Sequence, residues 1–436
     1  MFMFLLYNLL VHIAAFFLRI LALFSPKMKL FVDGRKIVFN QLKQKVTPTD
    51  KTIWFHAASL GEFEQGLPVM EQIKQKFPSH KIIVTFFSPS GYEVRKNHPI
   101  ADVIVYLPLD TKQNAKQFIT LVHPEMVFFI KYEYWPNYLN ELKKKAIPTY
   151  LVSGILRENH VFFKWYGEFY RNCLKTFTYF FVQNESSKKL LQSIGYQNIK
   201  ISGDTRFDRV VSILERDNQL DFIEEFKNNQ TLIVIGSSWP KDEELLVKFI
   251  NQADENVKFI IAPHTINASQ IENLKLKISK KSILYSDFQS ESRGQTKLDA
   301  RTGLDVRTGR DLSLRKFNLF IIDTIGILTK IYSYADIAYV GGGFGNPGVH
   351  NILEPATFGI PIVIGPNYSH FAEATALVNL EGCLSISSDS ELKNAFDLLI
   401  QNEDERHEKG HICSTFVQMN KGATTIILNH SENDDL

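Results

Sequence analysis

The sequence predicts two doubly wound α/β domains in one chain, preceded by an apolar helix. Three observations predict this. From residue 50 onward, short apolar runs alternate with helical stretches, the pattern of parallel strands covered on both faces. The rhythm restarts after residue 230, so there are two sheets. The 436 residues, 44% hydrophobic and 22% charged, suit two or three domains with large cores.

The opening "MFMFLLYNLLVHIAAFFLRILALF" has no charge before Arg19. It reaches the roughly 20 apolar residues needed to cross a bilayer. It lacks the basic start and small-residue cleavage site of a removed signal peptide. Asn8, His12 and Arg19 suit a helix lying in the membrane interface equally well, and a buried soluble helix is a third reading. Lys27, Lys29, Arg35 and Lys36 follow. By the positive-inside rule they put the remaining chain in the cytoplasm.

The first block holds strands at 52–57, 81–86, 102–106, 125–130, 147–152 and 179–184. The second holds strands at 231–238, 257–264, 318–323, 336–343 and 360–365. The mixed charged stretch 212–230 is the expected joint. The division is a membrane-anchor helix at 1–24, an N-terminal Rossmann-like domain at 25–215, a C-terminal Rossmann-like domain at 228–410 and a C-terminal helix at 411–436. "LDARTGLDVRTG" (298–309) repeats a six-residue unit without a core pattern, so an exposed, disordered insertion is expected over about 290–314. The segment "NHVFFKWYGEFYRN" (159–172) mixes aromatic and basic residues as an interfacial surface would, or as a buried helix with a few surface cations would.

Net charge is +2, too balanced to make nucleic acid the main partner. Three scattered cysteines, Cys173, Cys383 and Cys413, point to a reducing compartment without disulfides. No D-x-D pair and no histidine spacing suggests a metal site.

Ligands of open α/β sheets bind beyond the carboxyl ends of strands. Those ends carry His56, Ser59, Gly61 and Glu62; Ser90 and Gly91; Lys131 and Glu133; Arg206; Pro263 and His264; Ile325, Gly326 and Ile327; and Gly341 to Glu354. Glycines and hydroxyls there let backbone N–H groups approach an anion, although glycine equally serves tight turns. Glu62 reads two ways, as a base in a site or as a first-turn carboxylate favoured by the helix dipole.

Several motifs then fall in one order. They are His56-Ala57-x-Ser59-x-Gly61-Glu62, Glu133-x-Trp135-Pro136-Asn137, Gly203-x-x-Arg206-Phe207-Asp208, and a glycine run followed by His350-Asn351-x-Leu353-Glu354-Pro355-Ala356. Together they resemble the 3-deoxy-D-manno-octulosonic acid (Kdo) transferases of lipopolysaccharide synthesis, over nearly the whole chain. The resemblance implies a GT-B fold, two Rossmann-like domains facing a cleft. It also implies CMP-Kdo as donor, a lipid A precursor such as lipid IVA as acceptor, inversion at the anomeric carbon, and no metal or cofactor.

By that resemblance Glu62 is the general base, with Gly61 giving the turn. Arg206 stabilises the departing nucleotide, standing where the family usually has lysine. An interdomain salt bridge is its alternative role. Glu133 and Lys131 are further catalytic candidates. Many relatives carry an acid at the position of Lys131, which leaves open whether Glu133 substitutes for it. The donor is expected on Pro263, His264, Ile325, Gly326, Ile327, Gly342, Gly343, Asn351, Ile352, Leu353 and Glu354. The Pro263-His264-Thr265 run lacks the arginine many relatives have. His56, Ser59, Ser90 and Gly91 fall on the acceptor side. The expected location is the inner membrane, catalytic domains on the cytoplasmic face against its anionic surface. Two other functions fit the pattern: another GT-B enzyme (a UDP-sugar transferase or sugar-nucleotide epimerase) and a non-catalytic membrane-tethered sugar-binding protein.

Overall fold

The computed structural model describes residues 2–292 and 313–431. The 298–309 repeat lies outside them. The chain divides into two units, one of residues 1–209 with 420 onward, the other of residues 210–419.

The first unit holds one parallel sheet. Its strands are β1 (Thr52–Ala57), β2 (Lys81–Phe86), β3 (Val103–Tyr106), β4 (Pro124–Ile130), β5 (Thr149–Gly154), β6 (Tyr179–Val182) and β7 (Ile199–Ile201), in the order β3-β2-β1-β4-β5-β6-β7. Alternation along β1 and β4 supplies both faces. Trp54 and Phe129 pack into one core and Phe55 and Phe128 into the other, because successive side chains of a strand point to opposite faces. The strand order reverses direction between β1 and β4.

The second unit repeats the plan with β8 (Thr231–Ser238), β9 (Val257–Pro263), β10 (Ser282–Leu284), β11 (Leu319–Ile321), β12 (Ile337–Val340), β13 (Ile362–Ile364) and β14 (Cys383–Ser385), ordered β10-β11-β9-β8-β12-β13-β14 and parallel throughout. Here the reversal falls between β8 and β12. The glycines 341–343 lie beyond β12 rather than within it. Two doubly wound sheets of seven strands each give the chain the GT-B class of fold. All three cysteines are buried free thiols.

The apolar helix Phe2–Leu21 docks on the first unit. Its less exposed stripe is Phe4, Tyr7, Asn8, Val11, Ala15 and Leu18, the i, i+3, i+4 spacing of one helix face. The Tyr7 hydroxyl donates to Asp110 Oδ2 at 2.7 Å, and Asn137 Nδ2 donates to Asn8 Oδ1 at 3.2 Å. Phe4 meets the ring of Phe169 edge-on, 4.9 Å between centroids. On the other side, Leu9, Phe16 and Phe17 are more than half exposed.

The stretch expected as a single C-terminal helix from 411 is two helices, Glu403–Asn420 and Ala423–Ser431. Gly422 between them has φ 107°, a conformation open to glycine at little cost. The second helix belongs to the first unit. Asp208 holds it there, accepting from the Gly422 amide and from the amide and hydroxyl of Thr424 at 2.6 to 2.8 Å.

Candidate active site

In the first unit, the carboxyl ends of β1 and β4 adjoin at the reversal point, where open α/β sheets bind ligands. Past β1 the chain turns through Ser59, which is extended at φ −136° and caps the helix Leu60–Lys76. The Ser59 hydroxyl accepts from the Glu62 amide at 3.5 Å. Glu62 Oε2 accepts in return from the amides of Ala58, at 2.5 Å, and Ser59, at 3.2 Å. This is a capping box. Gly61 does not make the turn. It sits inside the helix, with open space where a Cβ would stand.

Glu62 is only 9% exposed. Burial, with the charge of Glu133 adding to it, pushes its carboxyl up to about 7, while the two amides and Lys131 pull the other way. Both capping bonds fall on Oε2; among the described residues Oε1 accepts none. One oxygen therefore anchors the group and the other is available to take a proton.

Glu133, past the end of β4, is held by two side chains. His56 Nε2 lies 3.1 Å from its Oε2 and Trp135 Nε1 donates to the same oxygen at 2.8 Å. His56 is fully buried on β1. Parallel register sets it opposite Thr85 on β2 and Phe129 on β4, and its Nδ1 lies 2.8 Å from the Thr85 hydroxyl. The Trp54 indole donates to that hydroxyl at 2.8 Å. Trp135 Nε1 also lies 3.1 Å from His56 Nε2, so the imidazole, the indole and the Glu133 carboxylate meet at one point. His56 therefore positions Glu133 rather than facing an acceptor. Lys131, at the β4 exit, has φ 66°, costly for a residue with a side chain and typical of functional sites.

Arg206 lies in the short helix Thr205–Val211. Its Nε and an Nη atom both reach Asp204 Oδ2 at 2.8 Å. Asp204 is buried and also accepts from Gln65 Nε2. This ion pair is local, two residues apart, and ties Arg206 to the helix that carries Glu62. Ser90 is exposed in the helix Pro89–Arg95, its hydroxyl 2.7 Å from that of Ser88. Gly91 serves packing. A Cβ there would stand 2.9 Å from the Leu60 amide, so only glycine lets this helix press against the start of the Glu62 helix.

In the second unit the ends of β8, β9 and β12 converge. Trp239 follows β8, His264 follows β9 and His350 closes the glycine loop after β12. The Trp239 and His264 rings stack at 4.8 Å and 12°, and His264 lies 4.3 Å from His350. Trp239 Nε1 donates to His350 Nε2 at 2.9 Å. Burial, helped by His264, pulls His350 down to about 4, so at neutral pH it is uncharged with its proton on Nδ1. Pro263 and His264 line a cavity of about 210 Å³ with Trp239.

The glycine run works mainly by closeness. A Cβ on Gly341 would stand 2.4 Å from the Ser237 carbonyl, and one on Gly342, at φ 95°, 2.4 Å from that of Gly348. The Gly342 amide donates to the buried carboxylate of Asp242 at 2.9 Å and is not offered to an anion. A Cβ on Gly343 would stand 2.7 Å from the backbone of Gly365. Further along, Glu354 stands in the five-residue helix Leu353–Thr357, with Ile352 and Leu353 buried beneath. It accepts from the Thr329 hydroxyl at 2.7 Å and from Asn351 Nδ2 at 3.0 Å. Ile325 is 88% exposed, next to Gly326 at φ 103° with open space around it and half-buried Ile327.

Sequence reading gave no role to Thr85, Trp239 or Asp242, and His350 entered only as part of a motif. Trp239 stands just past the end of β8, which was the available signal. The roles of Thr85 and Asp242 depend on register and loop geometry that a single sequence does not display. Among the described residues no three His, Cys, Asp or Glu side chains converge as a metal site requires.

A family model described as 3-deoxy-D-manno-octulosonic-acid transferase matches residues 34–209. Curated transferases of that name are similar over most of the chain. The Chlamydia trachomatis serovar D protein is 29% identical over 395 residues, 87% of this chain and 86% of its own. The Chlamydophila psittaci protein is 27% identical over 393 residues, 87% of this chain and 85% of its own. Among solved structures, the UDP-GlcNAc 2-epimerase from Neisseria meningitidis shares the fold. Its TM-score is 0.58 at 15% identity, covering 87% of this chain and 98% of that one. On these matches the chain is similar to the 3-deoxy-D-manno-octulosonic acid transferases over most of its length.

Proposed function

We propose that the chain transfers Kdo from CMP-Kdo to a lipid A precursor, with inversion and with Glu62 as general base. The observation that carries this is the Glu62 carboxyl itself. It is tuned to about 7 and anchored through one oxygen, the other being left to take a proton. A base works best with a pKa near the operating pH. In the step, the acceptor hydroxyl gives its proton to Glu62 as its oxygen bonds to the anomeric carbon. The bond to CMP breaks on the opposite face and its electron pair leaves with the phosphate. Arg206, locked by Asp204, supplies positive charge for that phosphate. Glu133, held by His56 and Trp135, keeps the Glu62 pKa high. Donor contacts are assigned to the second unit, through Glu354, Asn351 and the exposed Ile325–Gly326 turn, whose open backbone suits a flat base. His264 and neutral His350 add polar contacts.

The apolar helix has the length and composition of a membrane anchor. It is docked from Phe4 to Leu18, roughly 20 Å at 1.5 Å per residue. That supports a helix lying in the interface of the inner membrane, with Leu9, Phe16 and Phe17 in the lipid and both units on the cytoplasmic side. Trp165, 90% exposed, and Tyr166 precede the Phe169 that packs on this helix. Mass spectrometry of the product formed from lipid A precursor and CMP-Kdo, with UDP-sugars as competing donors, tests the reading. A product made equally well from UDP-sugars, or no product at all, overturns it.

A further inference from the structure

Where the docked helix meets the first unit there is a cavity of about 260 Å³. Its walls are apolar, from Ala15 and Leu18 of the helix and Phe39 and Leu109 of the unit. Its charged lining residues are all cations: Arg19, Arg35 and Lys36. Lys36 is paired with Asp33. Arg19 and Arg35 have no carboxylate partner among the described residues.

Arg35 is the unusual member. Its guanidinium lies 3.6 Å from the centre of the Phe31 ring, 4.9 Å from that of Phe87 and 5.1 Å from that of Tyr106. Two N–H groups go to the carbonyls of Phe31 and Phe87. The Nε–H is buried with no acceptor. Burial lowers its pKa to about 9, so it remains charged at neutral pH. Buried charges are normally paired. A cation held by rings and carbonyls, with no counterion, beside an apolar hollow and another unpaired arginine, lacks an anion.

We propose that this cavity binds the phosphate head of an anionic membrane phospholipid. The countercharge and the apolar walls have to be met by one molecule, which requires an anionic amphiphile. The volume falls just below the roughly 300–1,000 Å³ of sites that enclose drug-sized ligands. It takes a headgroup with the start of its acyl chains, and the chains continue along the exposed face of the helix. The site is separate from Glu62 and does not depend on the reaction proposed above. It would fix the depth and rotation of the first unit at the bilayer.

The test uses the full chain in neutral detergent, titrated with short-chain phosphatidylglycerol, short-chain phosphatidylcholine or inorganic phosphate, with adducts read by native mass spectrometry. Phosphatidylglycerol should form a single-copy adduct that phosphatidylcholine does not match. Arg19→Gln, which removes one charge, and Ala15→Phe, which fills the hollow, should each weaken it roughly tenfold or more, the scale of a charged hydrogen bond. Lys200→Gln, on an exposed position of β7, should leave it unchanged. Arg35→Gln is the stronger variant where it folds. Equal binding of the two lipids, or full binding by both Arg19→Gln and Ala15→Phe, overturns the site. Inorganic phosphate that binds as tightly and displaces the lipid makes it a free-phosphate site and overturns the lipid assignment.

Discussion

Replacing Glu62 with glutamine separates the two roles its geometry allows. A carboxyl raised from 4.5 to about 7 carries a penalty of roughly 3 kcal/mol in its charged form, at 1.36 kcal/mol per unit. Between about pH 4.5 and 7 the folded chain keeps a proton that the unfolded chain has released. Stability therefore falls as pH rises through that window, and the penalty is complete above it. Glutamine is neutral throughout and still offers an oxygen to the Ala58 and Ser59 amides. The variant's stability relative to the parent should thus improve between pH 4.5 and pH 8, by up to roughly 3 kcal/mol. Urea denaturation of both proteins at the two pH values reads this. At the same time turnover should drop by roughly 10²–10⁴-fold, as general-base loss does, with donor binding nearly unchanged. A glutamate kept only as a helix cap predicts the opposite pair, turnover preserved and stability lost. Near-normal turnover would remove Glu62 from the mechanism, and a stability offset that ignores pH would refute the buried, raised carboxyl.

Three further outcomes follow from the same contacts. Glu133→Gln removes a charge that raises Glu62, and Lys131→Met removes one that lowers it. The acid limb of the kcat/KM profile, set near 7 by Glu62, should move down in the first and up in the second, and a limb fixed in both would disconnect Glu62 from it. Activity should persist in EDTA; loss reversed by magnesium or manganese would mean that the enzyme needs a metal. Phe16→Ser with Phe17→Ser changes the exposed face of the helix and leaves its docked stripe intact. Flotation with vesicles should show weaker membrane binding and lower activity on embedded acceptor, with CMP-Kdo affinity retained. Undiminished flotation would put the membrane contact elsewhere.

The long strands were legible because strands buried on both faces are mostly apolar along their length: Thr52–Ala57 and Lys81–Phe86 match the expected runs end to end. The edge strands Ser282–Leu284 and Cys383–Ser385 were not, since three residues carry no periodicity and an edge position demands little apolar surface. Glu62 was legible because it follows a strand. The use of His56 was not. It touches Glu133 through Nε2 and Thr85 through Nδ1, which requires β1 to sit between β2 and β4, information about register rather than local sequence. The glycine run shows the opposite error. Its composition suggested anion binding, but at Gly341, Gly342 and Gly343 the physical demand is steric, and one amide is claimed by Asp242. The break before Ala423 also escaped notice, because a Gly after Lys421 is an ordinary helix stop that says nothing of where the next helix goes.

The return of the last helix to the first unit has a consequence during synthesis. The first unit's core includes Ile427, fully buried, and Asp208 waits for the amides of Gly422 and Thr424. A ribosome delivers residues 1–209 long before those groups exist. It then makes all 210 residues of the second unit, Val210–Met419, before the missing piece emerges. Through that interval the nascent first unit has an open apolar slot and an unsatisfied carboxylate. It also carries an N-terminal helix with an apolar face ready for lipid. A chain stalled or clipped before residue 420 would therefore hold an incomplete core, and only a chain that includes Gly422, Thr424 and Ile427 can close the unit that carries Glu62.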